Sequence, residues 1–314
     1  MKNLLKSVAT ASIVALSAVA GPALAEGEHY VFVYHSPDSD SWWNVIKNAI
    51  GNAEKDLGVT VDIRNPSTGD LADMARIVEQ TVASDPDGLI VTIADFDALS
   101  GPIRDAVDAG IPVITVNSGT HEQSAELGAM LHIGQPEYDA GFAGGVRAKA
   151  AGVTSFVCVN HQINNAPLTE RCRGFADGLG VELANSMIDV GIDPSEVKNR
   201  VIAYLRVNED VDAILGLGPN ASDPTIAALD EIGMAGEVYF GTFDMSDAIA
   251  DAIKVGTINW AVDQQPYLQG YLPVSFLANF NRYGVQVPHN VNSGPGFITS
   301  ENIDFVATMA GKYR

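Results

Sequence analysis

The sequence predicts an α/β protein made of two similar lobes, each a parallel sheet covered by helices on both faces. Strand-like apolar runs alternate with helical patterns through almost the whole chain. Such βαβ order implies parallel pairing with helical crossovers. The units are too many for one small sheet, and they fall into two runs that break near Gly134.

In the first run, 30–34 reads as a strand. Trp43, Ile46, Ile50, Ala53 and Leu57 then recur at helical spacing and stop at Gly58. A strand over 59–63 precedes a helix face of Leu71, Met74, Ala75, Val78 and Val82. Next come a strand over 89–93, a helix through Ile103, Ala106 and Val107, and a strand over 112–116, with Gly110 suited to a helix C-terminus. The second run has strands over 155–159, 187–190, 213–217, 238–242 and 258–262. Between them lie helix faces through Leu168, Cys172 and Phe175, through Val201, Ile202 and Leu205, through Ile226 and Leu229, and through Ile249 and Ile253. Gly233 and Gly256 mark the ends of the last two helices.

The N-terminus carries Lys2 and Lys6, an apolar run over 13–20, a Gly21-Pro22 break and Ala23-Leu24-Ala25. This pattern predicts a Sec-type signal peptide cleaved after Ala25, and hence a soluble protein of the periplasm. The apolar run is too short to span a bilayer. The 314 residues hold 18 Lys and Arg against 39 Asp and Glu, a formal net charge of −21. Such a chain is unsuited to nucleic acid or anionic lipid, which require basic patches. Cys158 and Cys172 are expected to form a disulfide in an oxidising compartment, tying a strand to the next helix. The six histidines never join the cysteines at ligand spacing, so no metal is expected, and nothing calls for a cofactor.

Open parallel sheets bind ligands beyond the carboxyl ends of their strands. The polar residues there are Asp40, Trp42 and Trp43 after the first strand, Asp95 and Asp97 after the third, and Asn117-Ser118 after the fourth. In the second run they are Asn160, His161 and Asn165, then Asn220, then Asp244, then Asp263-Gln264-Gln265. Amides and carboxylates each make two directed hydrogen bonds, which matches vicinal hydroxyls, and indole faces pack on the C–H side of a sugar ring. Trp43 lies on the Ile46/Ile50 core stripe, whereas Trp42 lies off it and is the better ligand candidate. Asp97 reads as a helix N-cap, and Ser246 competes with Asp244 for that role.

These segments carry a family resemblance. Asp40-Ser-Trp-Trp43, Gly88-Leu-Ile-Val-Thr92, Gly110-Ile-Pro-Val-Ile-Thr-Val-Asn117, Arg171-Cys-Arg-Gly-Phe175, Thr242-Phe-Asp244 and Val262-Asp-Gln-Gln-Pro266 occur in an order and spacing like those of ribose-type periplasmic sugar-binding proteins. The chain resembles these type I periplasmic binding proteins over nearly all of 28–309. The resemblance implies two Rossmann-like lobes joined by a hinge with three crossings, near Gly134, Gln264 and Gly294. The lobes are then 26–134 plus 265–294, and 135–264 plus 295–314, after a signal peptide over 1–25. It also implies a ligand set of Asp40, Trp42, Trp43, Asn117, Arg171, Asn220, Asp244 and Gln264, to which Thr92 and His161 are added from their places at the carboxyl ends of strands. Ribose-binding relatives carry Asp-Arg at Asn117-Ser118 and Asn at Asp40, so this pocket is expected to hold another sugar, a cyclitol or a linear polyol.

The expected activity is capture without chemistry, by a monomer that delivers its ligand to an inner-membrane ABC permease. A chemoreceptor could read the same closed form. A non-sugar ligand such as a furanone, nucleoside or small acid is the alternative within the same fold. An enzyme is not expected, since no G-x-S-x-G elbow, P-loop or G-x-G-x-x-G follows the first strand. A DNA-binding regulator would need a basic N-terminal helix pair.

Overall fold

A computed structural model describes residues 27–314. The expected signal peptide and its cleavage point lie outside the described residues. Two six-stranded sheets form the molecule. The first contains β1 (His29–Val33), β2 (Thr60–Arg64), β3 (Gly88–Val91), β4 (Val113–Val116), β5 (Leu131–Gly134) and β11 (Val291–Asn292), in the order β11-β5-β4-β3-β1-β2. The second contains β6 (Phe156–Asn160), β7 (Met187–Asp189), β8 (Ala213–Gly216), β9 (Tyr239–Phe243), β10 (Trp260–Asp263) and β12 (Gly296–Ile298), in the order β12-β10-β9-β8-β6-β7. The two orders match position by position. They differ at one edge, where β11 runs parallel to β5 but β12 runs antiparallel to β10.

Every residue of β3, β4, β5, β6, β8 and β10 is buried. These strands are covered on both faces, which is why they read as continuous runs. In β1 the pleat sends Tyr30 and Phe32 to one face, with Trp43, Ile46 and Ile50 of α1 (Trp43–Leu57) and Val274 of α10 (Pro266–Tyr283). Val31 and Val33 go to the other face, with Met74 of α2 (Leu71–Ala83) and Leu99 of α3 (Phe96–Asp108). The second sheet has the same two-sided core. Phe156, Cys158 and Leu215 meet α6 (Ala166–Leu179), while Val157, Val159 and Ile214 meet α7 (Pro194–Val207), α8 (Pro219–Ile232) and α9 (Asp247–Val255).

The chain leaves the first sheet after β5, returns after β10 as α10 packs on α1, and crosses again between β11 and β12. The links between the sheets start beside Gly134, Asp263 and Asn292. Cys158 and Cys172 are bonded, with their Cα atoms 5.9 Å apart. One cap differs from expectation. Asp95 holds the N-terminus of α3, its carboxylate accepting from Ala98 N at 2.9 Å, and Asp97 lies in the first turn. Asp95 has the extended backbone that an N-cap needs.

The helix α5 (Glu137–Ala150) shows no apolar stripe in sequence because its buried face is Ala140, Gly141, Gly144, Gly145 and Ala148. It lies almost backbone to backbone on Gly174 and Gly178 of α6. A Cβ at Gly174 would collide with the Tyr138 carbonyl oxygen, and one at Gly141 with that of Arg171. Close approach therefore demands glycine on both helices. The residues after β12 pack on the second sheet's helices, yet the last few reach back to the first lobe. Asn48 Nδ2 on α1 donates to Lys312 O at 3.4 Å and the Tyr313 ring lies 5.7 Å from that of Tyr267 on α10, while Arg314 pairs with Asp263 of β10, in the second sheet, at 2.6 Å.

Candidate functional site

The carboxyl ends of both sheets converge on one cavity. Its wall includes His35, Asp40, Trp42, Trp43 and Asn117 from the first lobe, with His161, Arg171, Asn220, Asp244 and Gln264 from beyond β5. Nine of the ten sequence-predicted site residues therefore meet there. The tenth, Thr92, stands one layer behind, fully buried, with its hydroxyl 3.0 Å from His35 Nδ1. Asn165 Nδ2 donates to His35 Nε2 at 3.1 Å, so Nδ1 carries the proton and donates to Thr92. Asn165, whose amide nitrogen can only donate, thus sets the tautomer of His35, a wall residue that the sequence reading passed over, and Thr92 accepts its proton.

Matched positions in the two sheets supply matched wall residues. Tyr30 pairs with the first residue of β3 and Phe156 with the first residue of β8, so His35 and His161, each five residues on, are equivalents. Burial pushes His35 down to about 4 and His161 down to about 3, so both are neutral near pH 7. Asn117 and Asp244 directly follow β4 and β9 and share a left-handed backbone, φ 60° and 62°. Asn and Asp tolerate that conformation better than most residues. It turns each side chain off its strand and into the cavity wall.

Arg171 is the cation of the wall, and it is not free. Its Nε and Nη2 donate to Glu137 Oε2 and Oε1 at 2.6 and 2.8 Å, and Nη1 donates to Leu217 O at 2.9 Å. The pair is buried, with side-chain exposures of 4% and 6%. The guanidinium also sits over the Phe243 ring, 4.3 Å from its centroid. Glu137 opens α5 at the first crossing, so the missed helix carries a residue that fixes a predicted one. Gln269 on α10 is a second such residue, accepting at 3.0 Å from Asn117 Nδ2.

Asp40 Oδ1 accepts from Asn220 Nδ2 at 3.0 Å and from Trp42 N at 3.3 Å, the first of these bonds crossing between lobes. Burial raises the Asp40 pKa, against the pull of these donors. Asp244 Oδ2 accepts from Gln264 Nε2 at 3.0 Å, while Arg171 Nη1 remains 3.9 Å away. Burial pushes Asp244 up to about 7. Three buried atoms of wall residues have no hydrogen-bond partner among the described residues: Trp42 Nε1, His161 Nδ1 and Asp244 Oδ1. Trp43 is both wall and core, stacked on Tyr34 with ring centroids 4.5 Å apart.

A pH test follows from Asp244. The unfolded carboxyl ionises near 3.8 and the folded one near about 7, so between these values the unfolded state holds fewer protons. Wild type is expected to lose stability relative to Asp244→Asn as pH rises from about 4 to 7, with no further change above. Parallel denaturation curves at each pH measure the difference, and a gap that stays constant contradicts the assigned burial of the charge.

The comparisons with known proteins agree with this geometry. Residues 30–281 match the periplasmic binding protein domain family. The xylose/arabinose-binding protein of Sulfolobus acidocaldarius is 24% identical over 253 residues, 75% of this chain and 62% of that protein. The D-ribose/D-allose-binding protein of Pseudomonas aeruginosa is 25% identical over 62% of this chain and 63% of its own length. The chain thus spans somewhat under two thirds of these curated relatives. Among solved structures, a carbohydrate transporter from Acidothermus cellulolyticus in complex with myo-inositol superimposes with a TM-score of 0.84 at 29% identity, covering 91% of this chain and 98% of that one. A periplasmic sugar-binding protein from Legionella pneumophila gives 0.77 at 26% identity, over 85% and 99% of the two chains. By the domain match, the architecture and the cavity between its lobes, the chain belongs to the periplasmic binding protein family.

Proposed function

We propose that this protein captures a small polyhydroxylated ring, a monosaccharide or cyclitol, between its lobes in the periplasm and delivers it to an inner-membrane ABC permease. The observation that carries this reading is the set of unpartnered atoms in the wall. Trp42 Nε1 can only donate and Asp244 Oδ1, when ionised, can only accept. A hydroxyl does both, and a ring with several hydroxyls reaches both atoms together. The relative from Acidothermus cellulolyticus, solved with myo-inositol, supports the same ligand class.

Capture works by closure. The Asn220–Asp40 and Asn165–His35 bonds join the lobes across the cavity. These bonds open for a hydroxylated ring to enter as the lobes part. A ligand that bridges both lobes binds the closed form better and shifts the population toward it. The permease then reads the closed form, and the protein acts as a monomer.

Thermal melts of the protein with pentoses, hexoses, cyclitols, nucleosides and small acids test this reading. Ligand at ~100 times its Kd adds about 2.7 kcal/mol, which raises Tm by several degrees. Trp42→Ala is expected to weaken the responding ligand at least ~10-fold, or about 1.4 kcal/mol, with little change in the apo melt. A rise confined to nucleosides or acids refutes the ligand class.

A further inference from the structure

The cavity wall is short of positive charge. Its carboxylates are Asp40 and Asp244, its cation is Arg171, and its histidines His35 and His161 are held neutral by burial. Glu137 takes two of the Arg171 hydrogen bonds, and Nη1 stays 3.9 Å from Asp244 Oδ2, so one guanidinium is shared between Glu137 and Asp244 and gives the second no hydrogen bond. The two carboxylates are not equally served. Asp40 has donors from Asn220 and from Trp42 N. Among the described residues Asp244 has one donor at hydrogen-bond distance, Gln264, on Oδ2, while its Oδ1 is buried with none.

From this imbalance we infer that the ligand carries one protonated amine, as an aminocyclitol or amino sugar does, and that its ammonium seats on Asp244 Oδ1. The inference rests on the polyol reading above and narrows it. A neutral hydroxyl gives Asp244 a hydrogen bond but leaves its buried charge to the Arg171 that Glu137 also holds. An ammonium supplies the bond and the charge together, and charge-assisted bonds are roughly twice as strong as neutral ones. Burial pushes the Asp244 pKa up against the pull of Arg171, so a cation of its own on Oδ1 favours the ionised form. The remaining hydroxyls meet Asp40, Asn117 and Asn220, and the ring lies against Trp42. The net charge of −21 over the whole chain also favours approach of a cation.

Titration calorimetry at pH 7.5 with matched probes tests the inference. The pairs are myo-inositol against an amino-deoxy-inositol, and glucose against glucosamine, with N-acetylglucosamine as an uncharged control. In the pair that binds, the amine is expected to bind at least ~10-fold tighter than its neutral parent, about 1.4 kcal/mol. N-acetylation removes the gain. Asp244→Asn lowers amine affinity more than neutral affinity, so the ratio collapses toward one. A neutral parent that binds as tightly as its amine, or tighter, overturns the inference and leaves the polyol reading standing. Binding of a nucleoside or acid in place of every polyol probe overturns both.

Discussion

Glu137→Ala is expected to cost about 3–5 kcal/mol of stability, because it strands the Arg171 guanidinium in the interior. With 4% of its side chain exposed, Arg171 cannot recover its lost bonds from water, and Glu137 supplies two of its three. Gln135 Nε2 also loses its 2.8 Å bond to Glu137. For a chain of this size the loss corresponds to a Tm roughly 10 °C lower. The double variant Glu137→Leu/Arg171→Met removes both charges and keeps the volume, and it should recover most of the stability. Its affinity should remain low, because Arg171 lines the cavity. Denaturant titration of the two variants measures both effects, and a single-variant cost under about 1 kcal/mol would place the pair among screened surface bridges.

The second large effect is expected at Trp43. Its indole is 2% exposed, stacks on Tyr34 at 4.5 Å and meets His35 edge-on at 5.3 Å. Trp43→Ala removes a large buried aromatic from the core beneath β1 and should cost about 3–5 kcal/mol. The neighbouring Trp42 is only partly buried, so Trp42→Ala is expected to act on affinity rather than stability. Comparing the melts of the two variants separates these roles. Equal and small stability losses would mean that Trp43 is not a core residue.

Most of the architecture was legible because parallel strands buried on both faces have few polar positions. β3, β4, β8 and β10 each appear as an apolar run, with glycine closing several helices at positive φ, as at Gly58, Gly233 and Gly256. The elements missed had other reasons to be silent. α5 buries alanine and glycine, so it lacks the periodic large residues that mark a helix face. α10 contains Pro273, and α4 (His121–Glu126) has a single buried residue. β5 is one buried turnless run of four residues, and β11 and β12 are two and three residues long.

The site was legible to the same depth. Residues just past a strand can be placed from the strand alone, which found Asp40, Asn117, Asn220 and Asp244. Partners brought in by tertiary packing cannot. Glu137 reaches Arg171 across 34 positions, and Asn117 meets Gln269 across 152. Thr92 directly follows β3, which ends two residues earlier than the expected strand over 89–93, and His35 stands between it and the cavity.

The matched positions of the two sheets bear on how this cleft can change over a lineage. Each half follows one plan, so the cleft receives every strand-end position twice. At one such pair the copies agree, His35 with His161, and at another they differ by a charge, Asn117 with Asp244. A bound molecule therefore meets an amide through one copy and a carboxylate through the other, and turning it over puts its groups against the wrong face. Descendants could reverse that orientation by exchanging two side chains, with the backbone that presents them left as it is.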